Sequence, residues 1–276
     1  MANNNSSNNE KRWILANQYI PIESLLREKV LPDHANAGLV FDRYLPVWDG
    51  PAESSPQPKE GQSALRDFVK GFNNVTSEKR QRLKALQHRQ QQLAERFGRM
   101  NGAWETEVTN TSRLVVGMGA DHPLKNSFTF HPLYGVPFLP SSALKGLIGA
   151  TGKLFEVPWL NEVLGKDDDA ISPSQMGLIT VLDAFPIVWP ELAVDIINSH
   201  HPHYYRNART AQPVETESPV PVFFLTVEAG ARWRIRLLSR KGAQARLEQA
   251  GALLRDGFQW LGIGGKTAVG YGRMEQ

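Results

Sequence analysis

Leu261-Gly262-Ile263-Gly264-Gly265-Lys266-Thr267-Ala268-Val269-Gly270-Tyr271-Gly272-Arg273-Met274 lies close to the end of a chain of 276 residues. Five glycines between positions 262 and 272 open backbone angles that other residues avoid, and they permit close approach to a ligand or to another backbone. Lys266 and Thr267 among them suit an oxyanion or a phosphate; the glycines suit a sharp helix-to-strand turn equally well. Two phosphate motifs fail at single positions. A P-loop requires a glycine five residues before Gly265-Lys266-Thr267, where Trp260 stands. A dinucleotide fingerprint starting at Gly262-Ile263-Gly264 would place its third glycine at Thr267, and too little chain follows for its helix and acidic residue.

Immediately upstream, Leu247, Ala250, Leu253, Leu254, Phe258 and Leu261 recur at helical spacing over 242–261. Before that, Pro221–Glu228 and Arg232–Leu238 flank Ala229-Gly230-Ala231 and read as a hairpin. Its second strand alternates Arg232, Arg234 and Arg236 with apolar residues, which predicts one buried face and one basic, wet face. Gly177–Pro186 and Arg113–Met118 read as two further strands. Between them, Pro140-Ser141-Ser142 opens a helix running to about Phe155, with Leu144, Leu147, Ile148 and Leu154 on its apolar side. The two serines can cap that helix, and with Lys145 one turn in its N-terminus could also take an anion. From Met274 outward the chain ends in a short strand, 268–274.

The second half therefore reads strand, helix, strand, strand, helix, Gly-rich loop, strand. This is the β-α-β-β-α-β order of a ferredoxin-like α+β domain, an antiparallel sheet with helices on one face. RNA-recognition modules share that architecture, although fold alone does not give function.

The first half differs in character. Residues 1–10 form a polar, Asn-rich tail, and residues 50–62 have the Pro, Ser and Gly content of a connector. A helical stretch from about Ser63 to Arg99, with a break near Asn73-Asn74, ends in a strongly basic helix. There Lys79, Arg80, Arg82, Lys84, Arg89, Arg96 and Arg99 face only Glu78 and Glu95, around a narrow stripe of Leu83, Leu86, Leu93 and Phe97. Such a face is either simply solvated or a surface for nucleic acid. The expected division is thus a tail at 1–10, an extension with the basic helix at 11–110, and the ferredoxin-like domain at 111–276.

Composition narrows the function classes. The absence of cysteine excludes disulfides and thiolate metal sites. No apolar run spans a bilayer and the N-terminus lacks signal-peptide features, so no membrane role and a cytoplasmic location are expected. The net charge of +3 identifies no nucleic-acid binder alone, which makes the distribution of charge decisive. Asp167-Asp168-Asp169 lacks calcium-loop spacing. Ser199-His200-His201-Pro202-His203-Tyr204-Tyr205 matches no zinc pattern, so neither metal nor cofactor is expected. Its aromatic rings beside Arg206 and Arg209 suit stacking on unpaired bases.

Taken together, Arg113–Gly119, Phe130–Gly146, Leu182–Pro186, the His-Tyr loop, Pro219–Val227 and Gly262–Gly272 resemble the RAMP superfamily of CRISPR proteins. More narrowly they resemble the sixth-numbered subunits of type III-B (Cmr) effector complexes. The resemblance covers about residues 110–276, and it departs from many relatives where Leu147-Ile148-Gly149-Ala150 replaces an arginine after the Lys-Gly pair. It implies a non-catalytic, RNA-binding subunit that caps a protein filament near the 3′ end of the guide RNA in antiviral defence. Its partners would be the guide and target RNA together with other RAMP and small subunits. Ser141, Ser142, Lys145, Gly264, Gly265, Lys266 and Thr267 would then face RNA backbone or a neighbouring subunit, with Arg206 and Arg209 as further RNA contacts. Two alternatives stay open. One is a guide-RNA-processing endoribonuclease using His131 or the His200-His201-His203 cluster as general acid or base. The other is a protein-only adaptor.

Overall fold

A computed structural model describes residues 13–15, 18–20, 35–45, 58–166, 175–199, 220–240 and 243–276. The Asn-rich tail, the acidic triplet and the His-Tyr loop with Arg206 and Arg209 lie outside these residues. The chain begins with β1 (Trp13–Leu15) paired to β2 (Gln18–Ile20). A helical turn α1 (Ala37–Leu39) follows and runs on as a π-helix, Val40–Tyr44. Then come α2 (Pro58–Asn73) and α3 (Ser77–Met100), broken by Asn74-Val75-Thr76 as expected. Thr76 caps α3, its Oγ1 accepting from the Lys79 N–H.

The main sheet is built from β3 (Ala103–Asn110), β6 (Ile179–Val181), β7 (Phe185–Pro186), β10 (Arg232–Ser239) and β11 (Met274–Glu275). Its order is β11-β3-β10-β6, with β7 also on β10, and every pairing is antiparallel. With α4 (Ser141–Leu154) after β3 and α6 (Gln244–Trp260) after β10, this is the ferredoxin-like α+β arrangement. Between β3 and β10 the chain also forms α5 (Leu160–Leu164), a small β4 (Gly165–Lys166)/β5 (Gln175–Met176) pair, and a ribbon of β8 (Leu192–Ser199) and β9 (Val220–Val227).

Three strand expectations need correction. The sheet's first strand is β3, not 113–118. Leu114, Val115 and Val116 are buried, but their backbone serves three different partners: Leu114 pairs with Val227, Val115 O accepts from Gly265, and Val116 O accepts from Thr129. Buried apolar character alone produced the strand reading. The 221–238 hairpin also dissolves, because β9 pairs with β8 and β10 with β3. Asn110, fully buried, parts them. Its Nδ2 donates to Ser112 O and Glu228 O, its Oδ1 accepts from Trp233 Nε1, and its backbone bonds Gly230 and Ala231. At the far end, 268–273 forms a 3-10 turn, Thr267–Val269, and a loop, leaving only two residues of strand.

Trp104, Val108, Trp233, Ile235 and Leu237 alternate along β3 and β10 on the face that buries against α4 and α6. Gly251 of α6 is needed there, since a Cβ would run into the Trp104 ring. The opposite face is covered too. Gly98 of α3 lies against Ala103, Gln90 accepts from Arg236, and Gln87 donates to the carbonyls of Pro186 and Ile187 at 2.7 Å each. The domain's own helices, α4 and α6, thus share one face as expected, and α3 of the N-terminal extension covers the other. The extension packs in through aromatic rings: Phe41, Phe68 and Phe72 each contact Phe130, with centroids 5.8 to 5.9 Å apart.

Candidate nucleic-acid interface

The Gly-rich loop lies on the 113–116 segment. Gly265 N–H donates to Val115 O and Gly272 N–H to Arg113 O, each at 2.8 Å, while Ile263 N–H donates to Gly272 O at 2.9 Å. Gly264 and Gly272 both have positive φ, and a Cβ at either would collide with a carbonyl oxygen, Val115 O or Ile263 O. The N–H groups of Val269, Gly270 and Tyr271 are likewise spent on carbonyls within the loop. Seven amides of the loop are thus committed to carbonyls, while those of Gly264, Lys266, Thr267 and Ala268 have no backbone acceptor among the described residues and stand beside the Lys266 side chain and the Thr267 hydroxyl.

Lys266 adopts a left-handed conformation at φ 61°, and its Nζ stands 5.7 Å from the Phe224 ring centroid, over the β8–β9 ribbon. An ion-pair cluster fixes the loop to that ribbon. Tyr271 Oη donates to Asp195 Oδ2 at 2.7 Å and Arg113 donates to the same oxygen at 3.0 Å, while Arg113 Nε reaches Glu228 at 3.1 Å. Burial pushes the Asp195 carboxyl up, but hydrogen bonds from Tyr271, the Ile196 amide and Arg113 outweigh it and hold the group below the usual carboxylate range. Burial, then the bond to Asp195, pushes the Tyr271 phenol up to about 12.

At α4 the cap differs from the expected one. Pro140 occupies the N-cap without a side-chain bond, Ser141 is the first helical residue, and its N–H is taken by Asp183 Oδ1 at 2.6 Å. The positive end of this helix already has its carboxylate. Ser142 and Lys145 remain exposed on it. Among the described residues no hydrogen bond or ion pair joins Ser141, Ser142 or Lys145 to Gly264, Gly265, Lys266 or Thr267.

His131 is a packing residue in this arrangement. Its Nδ1 accepts from Leu133 N–H, and its ring lies 4.7 Å from Tyr134, 5.3 Å from Phe138 and 5.2 Å from Phe185. Burial lowers its pKa, partly offset by Asp183. Among the described residues no group of three or more His, Asp or Glu side chains is placed to hold a metal ion, and no helix is long and apolar enough to cross a membrane.

The basic face predicted for β10 is neutralised and partly covered. Arg232 and Arg234 bond Glu107, at 2.8 and 2.5 Å, and Arg236, 2% exposed, bonds Glu105 at 2.6 Å. Hydrogen bonds from Arg234 and Arg232 hold the Glu107 carboxyl below its usual range. On α3, Lys79 is not on the outward face. It is 2% exposed, and its Nζ donates to Gly71 O, Phe72 O and Asn74 O, closing the C-terminus of α2. The alternation of Glu105 and Glu107 with Trp104, Thr106 and Val108 was the signal for β3 and for its arginine partners; Asp195 and Asn110 had none.

Comparison with known proteins agrees with this architecture. The model for the RAMP superfamily matches residues 107–275. A curated relative, "CRISPR system Cmr subunit Cmr6" of Pyrococcus furiosus, is 25% identical over 222 residues, with 59% of this chain and 65% of the relative covered. The chain thus spans a little under two thirds of that relative's length. A chain in "Cryo-EM structure of the Type III-B Cmr-beta bound to cognate target RNA" shares the fold, with a TM-score of 0.56, 17% identity, and 81% of this chain and 76% of that one covered.

Proposed function

We propose, since this chain belongs to the RAMP superfamily, that it is a non-catalytic RNA-binding subunit of a type III-B CRISPR ribonucleoprotein effector complex. It would cap the subunit filament near the 3′ end of the guide RNA and contact the guide–target duplex. The observation that carries this reading is the similarity to a Cmr6 subunit over 222 residues. The fold shared with a chain of a Cmr-beta complex bound to target RNA supports it. In this reading residues 111–276 hold RNA or a neighbouring subunit through Lys266 and Thr267 on the rigid loop and Ser142 and Lys145 on α4. The helices that precede the sheet form the extension, and α3 covers the second face of the sheet. The role is positioning: Lys266 offers charge to phosphate with little sequence preference, as a guide of variable sequence requires.

The test is co-expression with the neighbouring gene products, affinity capture of this chain, and extraction of bound nucleic acid. The proposal expects a stable complex carrying small RNA. Capture of the chain alone, or of a complex devoid of RNA, overturns it. So does metal-free cleavage of repeat RNA by the pure chain that His131→Ala abolishes.

A further inference from the structure

In this molecule positive charge is concentrated on one helix. α3 carries seven lysines and arginines against two glutamates, a net +5, while the whole chain sums to +3, so everything outside α3 is net −2. Lys79 is buried against α2, and Arg82 is engaged by Glu78 at 3.3 Å. The remaining Arg80, Lys84, Arg89, Arg96 and Arg99 are exposed. The side chains that pack α3 onto the domain, Leu83, Leu86, Ala94 and the glutamines Gln87 and Gln90, occupy one side of the helix; Arg96 and Arg99 lie across from them, and Arg80, Lys84 and Arg89 flank them. Exposed Gln81 and Gln92 add neutral donors among the cations, while Gln91 donates to Glu95. The helix is anchored rather than free: Gln87 and Gln90 bond the carbonyls of Pro186, Ile187 and Asp183, and the Arg89 guanidinium sits 5.1 Å over the Tyr134 ring. From Arg80 to Arg99 the face extends about 28 Å at 1.5 Å per residue.

We propose that this outward face of α3 binds the phosphate backbone of duplex RNA without regard to sequence. Arginines, a lysine and glutamines on a rigid helix are donors for phosphate oxygens. No Phe, Tyr or Trp side chain is exposed on α3 to stack an unpaired base, which favours a duplex over a single strand. The centre of a protein interface is depleted of such charge and enriched in apolar and aromatic groups, whereas this face sets five exposed cations beside only Leu93 and Met100. The sheet surface is the poorer candidate, because α3 covers part of it and Glu105 and Glu107 neutralise its arginines. Since α3 ends before the family match begins at residue 107, the surface belongs to this chain's extension. Only the choice of RNA as the polyanion rests on the reading under Proposed function; the concentration of charge does not depend on it.

The experiment measures binding of the full chain to a random-sequence RNA duplex by fluorescence anisotropy, from about 50 to about 300 mM salt. The variants are the triple Arg80→Gln/Lys84→Gln/Arg96→Gln, a control triple at exposed cations elsewhere, Arg43→Gln/Lys153→Gln/Arg255→Gln, and Lys266→Ala. The wild type should bind with a steep salt dependence. The α3 triple should flatten the slope of log K against log salt by about 2 units, at roughly 0.7 to 0.9 per lost contact, and weaken binding at least about tenfold. The control triple should change the slope by less than half as much, and unaltered circular dichroism confirms intact folding. A wild type that does not bind overturns the inference, as does an unchanged slope in the α3 triple or an equal change in the control. Loss of a co-purifying subunit from the α3 triple with RNA binding intact assigns the face to protein and also overturns it. Failure of the capture experiment with α3-dependent RNA binding retained would instead fault the assignment to an effector complex.

Discussion

Tyr271 donates its phenolic hydrogen to Asp195 Oδ2 at 2.7 Å, and this bond fastens the Gly-rich loop to the β8–β9 ribbon. The same oxygen receives Arg113, so a single carboxylate organises the loop, the 113–116 segment and the ribbon. Tyr271→Phe removes a hydrogen bond to a charged acceptor and should cost about 1.5 kcal/mol. The thermal midpoint should fall by roughly 3 to 6 °C. A midpoint within a degree of wild type would show that the contact does not hold the loop.

Both partners give that bond a pH window. The Asp195 carboxyl titrates lower in the folded chain than in the unfolded one. Its contribution is therefore present above the unfolded value, about 4, and is lost as pH falls through the folded value. The Tyr271 phenol, pushed up to about 12, keeps its proton longer when folded. Its contribution is complete below about pH 10 and disappears as pH rises from there toward 12. Ultraviolet titration should find one tyrosine lagging the others, and Asp195→Asn should return it toward 10.

The glycines of the loop should not be equivalent. Gly264→Ala places a Cβ on Val115 O at a positive φ, so left-handed strain and a steric clash add, at about 2 to 4 kcal/mol. Gly270 has φ 96° but open space for 4 Å around the point where a Cβ would stand, so Gly270→Ala should cost only about 1 kcal/mol. Urea denaturation of the two variants gives the ranking. Equal losses would mean that the loop does not depend on its close approach to residue 115.

Lys79 answers the open carbonyls at the end of α2 with bonds of 2.7, 3.3 and 2.7 Å. Lys79→Met leaves buried carbonyls without these partners and should cost about 2 to 3 kcal/mol. Lys84→Met, on the exposed side of the same helix, should stay within about 0.5 kcal/mol of wild type. Midpoints in urea for the two variants test whether neighbouring cations on α3 divide into structural and surface roles.

Local patterns account for what was legible in advance. α3, α4 and α6 follow from apolar residues at helical spacing, and the β-α-β-β-α-β order survives with β3, β6, β10 and β11 as its strands. What failed depended on distant partners. Val115 looks like strand because it is buried, but its carbonyl belongs to Gly265 in the Gly-rich loop. Val220–Val227 and Arg232–Ser239 look like a hairpin because nothing in either segment reveals Asn110 between them. Asp183 occupies the N-terminus of α4 from 42 residues away, and Gln90 meets Arg236 across 146. The position of the candidate loop was readable from its glycines; the commitment of its Gly265 and Gly272 amides was not, since their acceptors are the carbonyls of Val115 and Arg113.

Lys266 separates an RNA role for the loop from a protein-only one. Held over Phe224 in a left-handed backbone conformation, it is the cation on a loop whose amides are largely committed to protein carbonyls. If it meets a phosphate in the assembled complex, Lys266→Ala should flatten the salt dependence of RNA retention by roughly one unit, with every guide sequence affected alike. The substitution leaves the loop's backbone bonds in place, so the thermal midpoint of the isolated chain should move by no more than about 1 kcal/mol in equivalent stability. A changed salt slope with an unchanged fold locates a phosphate at the loop. An unchanged slope in a complex that still assembles means that Lys266 faces protein, and the RNA contacts of this domain then have to be sought elsewhere on its surface.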